Sequence, residues 1–315
     1  MGFRTGILFT LAACLLCFAQ AAAAKTRALV VGVSGYPALA ETLHLNGPRN
    51  DARELANTLV SLGIPAADVT VLADGVERLA DGVARPAMPT KQAILGALDE
   101  LAATSAPGDL VVFYFSGHGT QQPDLDGDEL GGQDAVFLPY DAGKWAGGGV
   151  ENGIVDDELR VRVEAILDAG ADFFGVIDAC HSSTGFRMLE DDDVRARQVP
   201  PEALGIPGDV SAPATATRSL RLGATEVRPG RGRAAYFYAA QETEVALERK
   251  PRGVEDAEVQ GVFTFNLLRR LNQNPNITYR TLHEAVVSDI KRGTLMATQT
   301  PELEGELLDE PGLRL

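Results

Sequence analysis

Two stretches decide how this chain folds: residues 110–120, LVVFYFSGHGT, and residues 173–183, FFGVIDACHSS. Each is an apolar run of strand length that ends on a turn of small residues. Each turn carries one reactive side chain, His118 in the first and Cys180 in the second. Runs that are apolar throughout, rather than alternating, suit strands buried on both faces, as in a parallel sheet covered by helices. In open sheets of that kind, binding crevices lie at the carboxyl ends of the strands, where both turns would fall. His118 could there take the proton from Cys180, and the thiolate could attack a carbonyl carbon.

Outward from these two runs the same alternation continues. Residues 28–33, 69–72 and 235–238 are further short apolar runs and read as strands. Between the strands lie stretches with apolar residues at helical spacing. They are 50–62, with Leu55, Leu59 and Leu62, and 91–103, with Ile94, Leu95, Leu98 and Leu101. Residues 156–167 open with acidic side chains suited to a helix N-terminus, and 263–271 and 282–290 form a final helical pair. The fold class is therefore α/β. Residues 120–132 and 142–149 are glycine-rich and polar and read as loops. Residues 187–233 are rich in Pro, Gly, Ala, Asp and Arg with weak periodicity and hold eight arginines. A stretch that long without regular structure is functional or disordered, and it is expected to be exposed.

The chain has 315 residues, 45% of them apolar, which suits one sizeable core. A net charge of -16 repels phosphate backbones and anionic headgroups, which disfavours nucleic acid and membrane surfaces as partners. It is compatible with cationic substrates. Arg4, the apolar run 6–18 and the sequence AQAAAA read together as a secretory signal peptide over 1–24, cleaved between Ala22 and Lys25. A rival reading makes LAAC, ending at Cys14, a lipid-anchoring box. Either way the product is exported, and no other run is long enough to span a bilayer. Cys14 and Cys17 lie in the signal, so Cys180 is the one cysteine of the mature chain and no internal disulfide can form.

The segments LVVGVSGYP, GPRNDA, FYFSGHGTQ, DLDGDE, IVDDEL, DACHSS and GVFTFNLL follow one another in an order that resembles the metacaspases, caspase-related cysteine peptidases. The resemblance implies a caspase-hemoglobinase fold, a mainly parallel sheet sandwiched between helices. It also implies a large portion at about 25–186, a linker at about 187–233 and a small portion at about 234–315. His118 resembles the general base, Cys180 the nucleophile, and the backbone N–H groups of Gly119 and Cys180 the oxyanion hole. Asp51, Ser116 and Asp178 resemble the residues lining a pocket for a basic side chain before the scissile bond. The implied substrates are proteins or peptides cut after Arg or Lys, with self-cleavage in the linker. Read without the resemblance, Asp51 could instead cap a helix and Asp178 hold a turn. His44, His181 and His283 read as structural residues.

Three departures from the family pattern are visible: Pro48 where many relatives carry cysteine, Ser183 where glycine is frequent, and Arg187 where an acid is expected. The last bears on metal binding. No cofactor is required by the chemistry, and calcium is the one candidate ion, with Asp134, Asp156 and Asp157 as its implied ligands. Arg187 puts a cation at the fourth position, which weakens such a site. The DLDGDE run does not satisfy an EF-hand loop, having Glu129 in the sixth position and Ala135 in the twelfth. Two alternatives remain to the peptidase reading. One is a caspase-like scaffolding or binding protein without catalysis; the other is a calcium-binding structural module.

Overall fold

The computed structural model describes residues 23–84, 86–124, 127, 132–180, 194–207, 228–293 and 299–313. The signal segment (except for Ala23 and Ala24), His181, Ser183 and Arg187 lie outside the described residues. The elements run β1 (Thr26–Gly32), α1 (Gly47–Ser61), β2 (Val69–Ala73), α2 (Lys91–Thr104), β3 (Leu110–Ser116), β4 (Gly119–Pro123) and β5 (Gln133–Phe137). They continue with β6 (Trp145–Ala146), β7 (Gly149–Val150), β8 (Ile154–Val155), α3 (Asp156–Asp168), β9 (Asp172–Asp178), β10 (Arg195–Ala196) and α4 (Pro201–Leu204). The last are β11 (Ala234–Tyr238), β12 (Leu247–Arg249), β13 (Gln260–Gly261), α5 (Val262–Gln273), α6 (Tyr279–Gly293) and β14 (Glu302–Gly305).

Six strands form the central sheet in the order β14-β11-β9-β3-β1-β2. All neighbours are parallel except β14, which runs antiparallel to β11. Both faces are covered. Leu29, Val31, Val111, Phe113, Phe115, Phe173 and Tyr236 pack with Ile94 and Leu98 of α2 and Leu159 and Val163 of α3. The intervening residues Ala28, Val30, Val112, Tyr114, Phe174, Val176 and Phe237 point the other way, onto Leu55 and Leu59 of α1, Leu267 of α5 and Val286 of α6. This alternation is why the strand sequences read as uninterrupted apolar runs: each successive side chain has a different hydrophobic layer to enter. The expected strands and helices are present, with ends displaced by a few residues; α1, for example, begins at Gly47, with Pro48 in its first turn.

The register positions the reactive turns. Gly32 lies opposite Ser116 and Ser116 opposite Asp178, so β1, β3 and β9 end at one level. His118 and Cys180 each follow two residues beyond that level, on neighbouring strands.

Three expectations about irregular segments need correction. The stretch 120–132 does not start as a loop: Gly119–Pro123 forms β4, which pairs antiparallel with β5. The stretch 142–149 contains β6 and the start of the β7 strand that pairs with it. Polar strands such as GTQQP carry no periodic signal, and only the partner strand supplies their hydrogen bonds. The third correction matters most. Within 187–233, the chain from Val194 to Pro207 is ordered and packed: β10 pairs antiparallel with β12, and Arg197, Val199 and Leu204 are fully buried.

Phe113 lies at the centre of the sheet, stacked on Phe173 with ring centroids 6.3 Å apart. Phe113→Ala is expected to cost about 3–5 kcal/mol in urea unfolding of the isolated chain, with little change in the slope of the transition.

Candidate active site

Position and protonation of His118 are set from outside its own turn. Its backbone N–H donates to the Tyr36 hydroxyl at 2.7 Å, that hydroxyl donates to the Val33 carbonyl at 3.2 Å, and the two rings lie 5.0 Å apart. Nε2 lies 2.7 Å from the Leu43 carbonyl, a contact that requires the proton on Nε2. Nδ1 is left as the lone-pair nitrogen, buried and without a hydrogen-bond partner among the described residues. A base of this orientation can accept a proton from a neighbour. Burial is the main influence on its basicity, lowering the pKa to about 4, while the Leu43 and Arg197 carbonyls pull the other way.

Cys180 is buried at the end of β9. Its Sγ accepts from the Ala246 N–H at 2.7 Å and lies 3.5 Å from the Ala246 carbonyl. Burial pushes the thiol up to about 12, against hydrogen bonds from the Ala246 and Arg197 backbones, with Asp178 raising it further. Thiol and imidazole are thus both neutral in this structure. The cause is the same for each: water is excluded, so neither charged form is solvated.

What excludes the water is the segment 194–199. Arg197 runs through the site from end to end. Its carbonyl oxygen accepts from the N–H groups of Gly119 and Cys180, each at 3.2 Å. Its own N–H donates to the Ala246 carbonyl at 2.9 Å, continuing the β10–β12 ladder in which Arg195 faces Glu248 and Ala196 faces Leu247. Past Arg197, Gln198 bridges Gly119 and the Val199 N–H donates to the Gly119 carbonyl at 3.1 Å. The chain lies as an added strand, the usual way an extended peptide binds a sheet edge.

The Arg197 side chain descends into a slot of carboxylates. Nη1 lies 2.8 Å from Asp178 Oδ2 and donates to Ser116 Oγ at 2.9 Å; Nη2 lies 2.5 Å from Asp51 Oδ2 and 3.6 Å from Glu248 Oε2. All of these side chains are fully buried or within 1% of it. Ser116 also donates to Asp51 at 2.9 Å, and the Gly261 N–H donates to Asp51 at 3.0 Å. Asp178 accepts from Thr264 Oγ1 at 2.6 Å and from the Thr264 N–H, in the first turn of α5. Burial pushes the Asp51 carboxyl up to about 6 against the pull of Arg197, so it remains ionised at neutral pH. The surrounding acids hold the Arg197 guanidinium firmly protonated despite its burial.

The structure therefore gathers His118, Gly119 and Cys180 around one carbonyl, and Asp51, Ser116 and Asp178 around one guanidinium. Asp51 does not cap α1, whose N-cap is Asn46. His44 and His283 sit apart, each with Nε2 near a backbone carbonyl, of Tyr36 and Pro301 respectively. Asp134, Asp156 and Asp157, the implied calcium ligands, each have a partner within the chain. Asp134 accepts from Gln122, Asp157 pairs with Arg160, and no group of three or more His, Cys, Asp or Glu suited to a metal occurs among the described residues. Sequence reading missed Arg197, one of eight linker arginines with nothing local to single it out. It also missed Glu248, Tyr36 and Thr264, whose roles arise only across elements.

Fold and site together describe a thiol and an imidazole on neighbouring strand ends of an α/β sheet, two backbone N–H groups on one carbonyl, and an acidic slot around one guanidinium. The caspase-domain family model matches residues 25–310, and the chain belongs to that family. It is 35% identical over 165 residues to Metacaspase-1 of Cryptococcus neoformans var. neoformans serotype D, a match covering 52% of this chain and 33% of that protein. To Metacaspase-3 of Arabidopsis thaliana it is 35% identical over 161 residues, covering 51% of this chain and 40% of that protein. The matched stretches thus span well under half the length of these relatives. The fold is similar to that of a solved protein from Geobacter sulfurreducens, with a TM-score of 0.61 at 21% identity, covering 92% of this chain and 98% of the other. It is also similar to caspase-1 of Spodoptera frugiperda, with a TM-score of 0.50 at 13% identity, covering 90% and 88%. Both likenesses carry the fold.

With its pKa near 12, Cys180 of the intact chain should be alkylated by iodoacetamide at pH 7.5 on the order of a thousandfold more slowly than a free thiol. Mass spectrometry of the Cys180 peptide, with urea-unfolded protein as reference, measures the ratio.

Proposed function

We propose that the chain is an exported cysteine endopeptidase that cuts after basic residues, and that its first substrate is its own Arg197–Gln198 bond. One observation carries the reading: the Arg197 carbonyl lies on two backbone donors while its side chain fills the acidic slot. A peptide about to be cut at that bond needs both placements at once.

In this reading the Cys180 thiol gives its proton to His118 Nδ1 as Sγ attacks the Arg197 carbonyl carbon. The carbonyl oxygen gains the charge and is held by the Gly119 and Cys180 N–H groups; such donors are typically worth about a hundredfold to a thousandfold each in rate. The Arg197–Gln198 C–N bond then breaks, and His118 returns the proton to the departing amine. A water, deprotonated by His118, hydrolyses the thioester and regenerates the thiol. Because both members of the dyad are neutral and dry, proton transfer is uphill from the docked state, and the intact chain is a slow, latent form. Proteins and peptides presenting a basic residue would take the place of 194–199 once it is displaced. All groups in the cycle come from the chain, so no cofactor is required. Among the described residues no helix is long and apolar enough to cross a membrane.

N-terminal sequencing tests the internal cut. Active wild-type protein should yield a fragment beginning at Gln198; Cys180→Ala and His118→Ala should remain uncut at that bond while keeping the wild-type circular dichroism. A wild type that stays intact and turns over no peptide would favour a non-catalytic scaffold instead.

Asp51→Asn keeps shape and removes charge. Leaving a buried guanidinium without this partner costs on the order of 2 to 5 kcal/mol, so kcat/KM for arginyl peptides should fall by about two orders of magnitude or more. An unchanged preference for Arg over neutral residues would remove Asp51 from the pocket.

A further inference from the structure

Glu248 lies outside every expectation drawn from the motifs, yet it forms one wall of the acidic slot. It is 1% exposed, and its carboxylate is fixed by two backbone donors at the start of α1: the Asn46 N–H reaches Oε1 at 2.9 Å and the Gly47 N–H reaches Oε2 at 3.0 Å. Oε2 is left 3.6 Å from Arg197 Nη2. The two terminal nitrogens of the guanidinium therefore answer to different acceptors. Nη1 serves Ser116 and Asp178, and Nη2 serves Asp51 and Glu248.

The slot is also flat. A Cβ added at Gly47 would fall 2.7 Å from both Arg197 Nη2 and Glu248 Oε2. One added at Gly261 would fall 2.7 Å from Arg197 Nη1 and 2.2 Å from Asp178 Oδ2. Two glycines thus leave room for a planar group with a carboxylate at its far edge.

We propose that Glu248, with Gly47 beside it, makes this site selective for arginine over lysine. The inference rests on the reading of the slot as the pocket for the residue before the scissile bond. A lysine ammonium is a single point of charge and cannot occupy the Nη1 and Nη2 positions together. Placed near Asp178 and Ser116, it leaves the buried Glu248 without a cation, and an uncompensated buried charge is strongly unfavourable. Glu248 would cost little when arginine binds and much when lysine does, which is discrimination by an unmet partner rather than by size.

The test uses self-processed enzyme and two fluorogenic peptides, Val-Arg-Ala-Arg and Val-Arg-Ala-Lys amides, identical but for the last residue. Wild type should favour the arginyl peptide in kcat/KM by about 100-fold or more. Glu248→Gln keeps an acceptor for the α1 N–H groups and should narrow that ratio to tenfold or less, mainly by gaining lysine turnover as the unmet charge is removed. Glu248→Asp should restore part of it. If Glu248→Gln folds poorly, Gly47→Ala reads the same ratio with Glu248 in place, and should reduce turnover of arginine more than of lysine. Equal wild-type turnover of both peptides would overturn the role of Glu248 and leave the basic pocket standing. Equal losses on both peptides in Glu248→Gln would do the same, marking Glu248 as a helix cap only. With a third peptide ending in glutamine, wild-type cleavage as fast as that of the arginyl peptide would overturn the pocket reading itself, and this inference with it.

Discussion

One buried cation holds this structure's functional centre together. Asp51, Asp178 and Glu248 come from α1, β9 and β12, and three carboxylates taken out of water in one slot would repel each other and each pay heavily for desolvation. Two devices offset this. The first turns of α1 and α5 present unsatisfied N–H groups to Glu248 and Asp178, and the Ser116 hydroxyl and Gly261 N–H serve Asp51. The Arg197 guanidinium supplies the positive charge. Two of its nitrogens bind acids from three separate elements, so its position and theirs are specified together.

The rest of the site follows from where that arginine must lie. To reach the slot, its backbone runs as a strand along β12, and this places its carbonyl on the Gly119 and Cys180 donors. Val199 and Leu204, buried in the core, anchor the chain on the far side. A segment tied at both ends and in the middle excludes solvent from the space between His118 and Cys180. The neutral state of the pair is then a consequence of occupancy: the same two groups beside an open, wet cleft would have far less reason to stay uncharged. The groups that bind the Arg197 guanidinium are thus also those that hold this segment in place.

The parallel sheet is the rigid frame for this arrangement. Because β1, β3 and β9 end in register, their two following turns are held side by side by ladders buried on both faces. The slot combines two end residues of this frame, Ser116 and Asp178, with groups from β12, β13 and the first turns of two helices. The His118 and Cys180 turns therefore sit directly on the central sheet, while the slot adds Glu248 and the helix starts to the ends of the same strands.

Legible from the sequence alone were the strands, the helices and the two reactive turns. Those signals are local: an apolar run between breakers, a period of leucines, a glycine beside a histidine. Asp51, Ser116 and Asp178 were legible through resemblance, because their residue types sit at fixed offsets within contiguous motifs. Arg197, Glu248, Tyr36 and Gly47 were not. Nothing near Arg197 distinguishes it from Arg195 two residues earlier, which is exposed at the surface. The pleat of an extended chain does not separate them, since residues two apart share a face; Arg197 is the buried one because it alone lies over an acidic slot assembled from residues 146 positions before it to 51 after it. Long-range charge pairing of that kind leaves no periodic trace, because the chain must first fold before the carboxylates share a space in which one cation is worth more than water.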